Sequence, residues 1–152
     1  MCLDMYLHKV KHEQIAYWRK ANCIHDWFNN HCANGQLENC GDYPVTKEQL
    51  TELKETCEKV LKASKLVTGQ VIIGEKYNPE TQKFEPRYGI GKKIEDPSLA
   101  QELLPTAKGF FFGSTQYDEW YVEDLQETVK QIDEILATVD FDEYDVVYHA
   151  WW

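Results

Sequence analysis

The sequence has no long hydrophobic run. None of its stretches approaches the ~20 consecutive apolar residues that a membrane-spanning helix needs. Asp4 also interrupts the N-terminus before the apolar region of a signal peptide can form. From these absences we expect a cytoplasmic protein that has no membrane partner.

The sequence also lacks any C-x-x-C pair, although it contains five cysteines. An odd number of cysteines without paired spacing is unlike the disulfide framework of a secreted protein, so we expect free thiols. A zinc site gathered from the cysteines and histidines of residues 23–40 is disfavoured, because their spacing matches no common zinc motif. The sequence therefore predicts no metal site and no cofactor.

Positive charge is almost absent from one part of the chain. Residues 1–117 contain 15 acidic residues and 15 lysines or arginines, whereas residues 118–145 contain 11 acidic residues and only Lys130. The whole net charge of −10 therefore lies in the second segment. A negative field repels phosphate backbones and attracts basic protein surfaces, so direct nucleic-acid binding is disfavoured and a protein partner is favoured. The alternative is a solvated helix face that keeps the protein soluble.

The length of the chain, 152 residues, fits one domain with a single core. Strand-prone and helix-prone segments alternate irregularly, which favours a mixed or antiparallel sheet over a doubly wound fold. We therefore predict a single α+β domain over residues 1–152, with a small sheet and three main helices packed against one side of it.

The first main helix is expected over residues 13–29. Its apolar residues recur at spacings of four and three, which places them on one core-facing side. They are Tyr17, Ala21, Ile24 and Phe28.

Capping residues mark the starts of the other two main helices. Thr46 opens a capping box, after which an apolar stripe continues to about Ala63. Ser114 or Thr115 is expected to cap the longest helix, whose apolar residues alternate by three and four to about Thr138.

The remaining elements are predicted to be short strands, turns and one short helix. Asp96 and Pro97 predict the start of the short helix. Residues 89–93 resemble a phosphate loop but lack the spacing G-x-x-x-x-G-K-[ST], so we predict a mobile turn there. The predicted strands are residues 5–10, a hairpin of residues 67–77 and 83–88, a buried strand at 109–113, and a β-prone segment at 144–152.

A polar stripe on the first predicted helix is the main candidate site. Helical spacing places Trp18, Asn22 and His25 side by side, with Arg19 on the flank. A stacking face, an amide, an imidazole and a cation together suit a small planar ligand with a polar or anionic group. The alternative is that Asn22 and His25 satisfy buried backbone groups of a loop at residues 29–43, with Trp18 simply packed.

The turn at Ser114 and Thr115 is the second candidate site. Backbone N–H groups at a helix start attract anions, and the two hydroxyls add donors. Asp118 and Glu119 favour simple helix capping instead, because their negative charge would repel a phosphate. A pocket between the first helix and this turn would combine both candidates.

Catalysis has less support than binding. His25 could act as a general base, and Ser114, Cys23 or Cys40 could supply a nucleophile. The sequence contains no nucleophile elbow and no other enzyme signature. It therefore leaves the catalytic residues undetermined.

Three stretches of the chain carry a shared pattern. They are residues 17–22 (YWRKAN) with Ile24-His25 and Trp27-Phe28, residues 103–106 (LLPT) with 109–115 (GFFFGST), and residues 117–121 (YDEWY) with 123–125 (EDL). Together they resemble a family of small proteins encoded by bacteriophages, prophages and gut or oral bacteria, and the resemblance covers most of the chain.

The resemblance implies an accessory gene of a mobile element and no particular mechanism. The family often carries a longer segment before the first helix. It also often has an alanine at the position of Cys23, and this alanine argues against Cys23 as a nucleophile. The family motif spans Trp18, Asn22, His25 and the turn at residues 113–115.

The sequence thus favours an accessory binding protein that acts on a host protein or on a small polar ligand. One alternative is a hydrolase or transferase that acts on a phosphorylated small molecule with His25 as general base. Another is a structural or assembly component of a phage particle.

Overall fold

Four helices and four strands follow one another in the part of the chain that the structure describes, residues 3–108 and 114–152. The structure is a computed structural model. No helix in these ranges is long and apolar enough to cross a bilayer. The elements in order are α1 (Asn22–Cys32), β1 (Asp42–Val45), α2 (Lys47–Ala63), β2 (Leu66–Asn78), β3 (Lys83–Ile94), α3 (Ser98–Leu103), α4 (Glu119–Thr138) and β4 (Val146–His149).

The strands form two separate antiparallel pairs. β1 pairs with β4, from Asp42 opposite His149 to Val45 opposite Val146. β2 pairs with β3 over their full length, with a shift of register after Ile72. The predicted α+β class and the antiparallel alternative are therefore confirmed, with two small sheets in place of one.

The core lies between α1, α2 and α4. Leu53 and Cys57 of α2 are completely buried, as are Leu125 and Ile132 of α4. Phe28 adds a ring from α1 that is only 2% exposed. Because each fully buried side chain of this size contributes about 1.5–3 kcal/mol, these three helices supply most of the hydrophobic stabilisation.

The start and end of α2 agree with the sequence prediction. The Thr46 hydroxyl accepts a hydrogen bond from the backbone N–H of Gln49 at 3.1 Å. The Gln49 side chain in turn accepts one from the backbone N–H of Thr46 at 2.9 Å, which completes the capping box. The helix ends at Ala63 as expected.

The predicted helix over residues 13–29 is wrong at its beginning. α1 begins only at Asn22, because Lys20 has a left-handed backbone with φ of 57° and the N–H of Asn22 bonds to the Lys20 carbonyl. Residues 12–19 carry no helix or strand, and we call them the extended arm because they precede α1 as a separate segment. Tyr17 is therefore 63% exposed instead of packed in the core.

The predicted cap of the longest helix is also wrong. α4 begins at Glu119, and the side chain of Asp118 accepts hydrogen bonds from the backbone N–H groups of Trp120 and Tyr121, both at 3.1 Å. The helix cannot start earlier, because the Tyr117 carbonyl accepts the N–H of Ile94 and holds the chain in an extended form beside β3. The end at Thr138 is as predicted.

Two further predictions fail, and one lies outside the described residues. Residues 5–10 form no strand, and their apolar side chains are exposed. Residues 89–93 are part of β3. Gly89 and Gly91 have no Cβ and therefore leave room for side chains of the neighbouring strand; a Cβ at Gly89 would lie 2.9 Å from the Ile73 side chain. The buried strand predicted at residues 109–113 lies outside the described residues.

Candidate functional site

An open groove of about 1010 Å³ lies between the extended arm and the C-terminal end of the chain. Residues 12–21 line one side of the groove and residues 146–152 line the other. Asn22, His25 and Phe28 of α1 also line it. The groove therefore lies between two segments that are far apart in sequence, which no local sequence pattern brings together.

Two residues of α4 hold the arm in place. The Gln131 side chain accepts the N–H of Tyr17 at 2.7 Å and donates to the Tyr17 carbonyl at 3.0 Å. The Trp18 indole N–H donates to the Thr128 hydroxyl at 2.8 Å. Its ring also meets the Phe28 ring edge to face, with centroids 5.9 Å apart. Trp18 therefore forms a fixed wall of the groove.

His25 is half-buried and bonded to the opposite wall. Its Nδ1 lies 2.6 Å from the hydroxyl of Tyr148, and its ring meets Trp152 edge to face with centroids 5.2 Å apart. Burial lowers the pKa of His25 and raises the pKa of the Tyr148 phenol. Both groups are therefore neutral at pH 7, and a protonated phenol can donate to Nδ1.

Asn22 is buried and holds backbone groups. Its side chain accepts the N–H of Ala107 at 3.1 Å and donates to the Ser114 carbonyl at 2.8 Å. One amide thus ties two points of the chain that lie seven positions apart in sequence. The backbone groups that Asn22 satisfies thus belong to Ala107 and Ser114, and not to the predicted loop at 29–43. In that loop the Asn29 side chain accepts the N–H of Leu37.

Arg19 and Lys20 supply positive charge to the arm side of the groove. Both are exposed, and neither forms a salt bridge within residues 3–108 and 114–152. The left-handed turn at Lys20 separates the arm from α1. A cation pair therefore stands beside the aromatic wall formed by Trp18.

Ser114 and Thr115 do not line the groove. The Ser114 hydroxyl accepts the N–H of Gln116 at 3.1 Å, and the Thr115 carbonyl accepts the hydroxyl of Thr106 at 2.9 Å. The structure thus brings Trp18, Arg19, Asn22 and His25 to one groove and leaves Ser114 and Thr115 outside it.

The C-terminal wall contains polar and aromatic residues that the sequence analysis did not single out. His149 Nδ1 lies 2.8 Å from a carboxylate oxygen of Asp42, across the pairing of β4 with β1. Trp151 and Trp152 follow after Ala150, and Trp151 is 79% exposed. The two consecutive tryptophans within the predicted β-prone segment 144–152 were the available signal.

The cysteine proposed as a nucleophile lies in the core. Cys23 is only 3% exposed, and burial together with nearby Asp124 raises the pKa of its thiol. A buried neutral thiol is a poor nucleophile, because the thiolate is the reactive form. Cys40 is exposed but does not line the groove.

No group of three or more metal-ligating side chains converges within the described ranges. No protein-family model, curated protein or solved structure matches this chain.

Proposed function

We propose that the protein is an accessory binding protein of a bacteriophage or prophage, and that its groove takes a small planar ligand with a polar or anionic group. The observation that carries the proposal is the lining of the groove. Aromatic rings of Trp18, Trp151 and Trp152 lie along it together with the cations of Arg19 and Lys20.

This combination suits a ligand with a flat ring and a negative group. Exposed aromatic faces stack on planar rings, and a guanidinium offers charge-assisted hydrogen bonds to a phosphate or carboxylate. The volume of about 1010 Å³ lies at the upper end of the range for small-molecule pockets, so a ligand of nucleotide size can enter. The open side leaves part of such a ligand in water.

Thermal unfolding with three probes tests the proposal. AMP carries a ring and a phosphate, adenosine carries only the ring, and ribose 5-phosphate carries only the phosphate. We expect millimolar AMP to raise Tm by a few degrees, and the other two to raise it less, because stacking and charge act together.

Replacing each of the two arginines of the chain provides a matched comparison. Arg19→Gln should weaken AMP binding by about tenfold, since it removes a charge-assisted hydrogen bond. Arg87→Gln, on the hairpin of β2 and β3, removes the same charge outside the groove and should leave binding unchanged. The proposal is wrong if none of the three probes shifts Tm, or if Arg87→Gln weakens binding as much as Arg19→Gln.

Hydrolysis is the second candidate function, and the pair of His149 and Asp42 favours it. A carboxylate that accepts the Nδ1–H of a histidine orients the ring and leaves Nε2 to take a proton from water. His149 is half exposed in the groove, whereas His25 is bonded to Tyr148 and its pKa is lowered by burial. His149 is therefore the better placed general base.

Turnover of p-nitrophenyl phosphate and p-nitrophenyl acetate tests this second function. His149→Ala should abolish any activity, and Asp42→Asn should reduce it by at least tenfold, because the orienting carboxylate is lost. Absence of turnover in the unmodified protein, or activity that survives His149→Ala, would remove His149 from the mechanism.

A further inference from the structure

The outer half of the β2–β3 hairpin carries an apolar face that no described part of the chain covers. The pairing places Ile72 opposite Tyr88 and Tyr77 opposite Phe84, so that these side chains share one face. Ile90 lies two residues beyond Tyr88 and therefore points to the same side. Their exposed fractions are 38% for Ile72, 49% for Tyr77, 68% for Phe84, 57% for Tyr88 and 78% for Ile90. We call these five residues the hairpin apolar face.

The same face is covered at the base of the hairpin. Ile94 lies on it and is only 3% exposed, because it packs into the core. An isolated two-stranded hairpin is marginally stable in water, and contiguous exposed apolar patches mark contact sites. The outer half therefore offers a contact surface that no described part of the chain occupies.

The charges on this face indicate what that surface is. Glu75 lies opposite Pro86 and Lys92 lies opposite Thr68, both on the apolar side. Pro86 and Lys92 are six residues apart on β3, about 20 Å, with Tyr88 and Ile90 between them. The negative charge of Glu75 and the positive charge of Lys92 thus lie on opposite sides of the apolar centre, which Tyr88 and Ile90 form.

A second copy of the chain fits this arrangement. A two-fold axis through the apolar centre turns one hairpin antiparallel to the other, which brings Glu75 of each copy to Lys92 of its partner. Contact through α4 is disfavoured. Residues 118–145 contain 11 acidic residues, and the negative charges of the two copies would repel each other.

We propose that two copies of this chain pack the hairpin apolar faces together about a two-fold axis, with Glu75 and Lys92 paired at both ends of the contact. The two sheets lie about 10 Å apart in such a packing. The contact is about 20 Å long between its two charge pairs and about 10 Å wide on each copy, smaller than a typical stable interface, so the dimer is weak and dissociates on dilution.

Sedimentation equilibrium of the full chain over a range of concentrations tests the proposal. The mass should rise from 17.9 kDa towards twice that value as the concentration increases. Tyr88→Ser should weaken the dimer by at least tenfold. Tyr144→Ser is the control. Tyr144 lies outside the hairpin and is 60% exposed, nearly the same as Tyr88, so its replacement should leave the dimer intact. Both side chains are exposed, so circular dichroism should show an unchanged fold.

Charge reversal tests the antiparallel arrangement. Glu75→Lys alone and Lys92→Glu alone should each weaken the dimer by about tenfold, because each places two like-charged pairs in contact. An equimolar mixture of the two variants should recover dimer, since every pair is then of opposite charge. A monomer at all concentrations would overturn the proposal, as would a dimer that survives Tyr88→Ser or a mixture that recovers nothing.

Discussion

Side-chain amides hold several extended segments of this protein. An amide carries one donor and one acceptor side by side, as a peptide group does, and so it can replace a missing strand partner. Amides that bond to backbone groups in this way include Gln131 to Tyr17, Gln116 to Ile72, Asn39 to Trp152, and Asn22 to Ala107 and Ser114. Residues that the sequence presents as ordinary polar positions thus fix the course of the backbone.

Asn22→Ala should lower the free energy of unfolding by about 2 kcal/mol, because it leaves the N–H of Ala107 and the carbonyl of Ser114 without this partner. Urea unfolding measures the loss. Asn30→Ala is the control on the same helix, since Asn30 is exposed and its side chain donates to the Asp26 carboxylate on the exposed side of the helix, at 3.3 Å. Equal stability of the two variants would refute the structural role of Asn22.

Asp124 gives the stability a predictable dependence on pH. Burial, with Glu123 and Asp118 nearby, raises the pKa of this carboxyl to about 6. A carboxyl with a raised pKa in the folded state destabilises the fold when ionised, and protonation removes that cost as the pH falls from 6 towards the unfolded value of 3.8. Asp124→Asn should therefore stabilise the protein at neutral pH and not near pH 4.

The expected gain for Asp124→Asn at neutral pH is about 1 kcal/mol, less than the full shift implies, because the side chain is partly exposed. Urea unfolding between about pH 4 and pH 7 measures it. Glu127→Gln removes one exposed negative charge from the same helix and should not reproduce the gain. A gain for Asp124→Asn that is the same at both ends of the pH range would contradict the assignment.

At the scale of elements, the sequence prediction and the structure differ in the residue that caps the start of α4. Asp118→Ala should lower the free energy of unfolding by about 1–2 kcal/mol, because its carboxylate accepts two backbone N–H groups at the helix start. Thr115→Ala should cost less than about 0.5 kcal/mol, since this exposed side chain caps no helix. Thermal or urea unfolding compares the two, and a larger loss for Thr115→Ala would restore the predicted cap.

The hairpin illustrates how glycine spacing can be misread from sequence. Gly89 and Gly91 lie in β3, where a Cβ at Gly91 would meet Val71 at 2.8 Å. A glycine in a strand can mark the close approach of a neighbouring side chain as well as a turn. The neighbouring strand decides between the two interpretations, and it lies far away in sequence: Gly91 pairs with Gly69, 22 positions earlier.

At the scale of the whole molecule, negative charge is concentrated in one largely exposed segment, residues 118–145. Nine of the 11 acidic residues in the segment 118–145 are exposed, and Asp118 and Asp124 are the two that are not. Exposed like charges attract a basic protein surface and repel a polyanion. The expectation of a basic protein partner and of no direct nucleic-acid binding stays a prediction.

The arm that walls the groove should come loose when its contact with α4 is removed. Gln131→Ala deletes both hydrogen bonds to Tyr17, so trypsin should cleave at Lys11, Arg19 and Lys20 about tenfold faster. Mass spectrometry of short digests measures the rate. Gln126→Ala is the matched control, an exposed glutamine on the same helix. Unchanged cleavage in Gln131→Ala would show that the arm is held by other contacts.

The sequence by itself determined the elements whose signals are local. The capping box at Thr46 acts over three residues, the apolar spacing of α2 and α4 acts over one or two turns, and the turn of the hairpin acts over four residues, so each could be predicted. The α+β class followed from the order of these elements, whereas the choice between a mixed and an antiparallel sheet was left to the structure.

Only the tertiary structure decided where the candidate site lies. Helical spacing grouped Trp18 with Asn22 and His25, and the three do line one groove, but Trp18 reaches it from a non-helical arm. That arm is held to α4 by Gln131, 114 positions away from Tyr17, which bonds to the Tyr17 backbone, and the opposite wall is built from residues 146–152. A hydrogen bond between such distant positions leaves no periodicity or capping pattern in the sequence, so no local reading could have placed the groove.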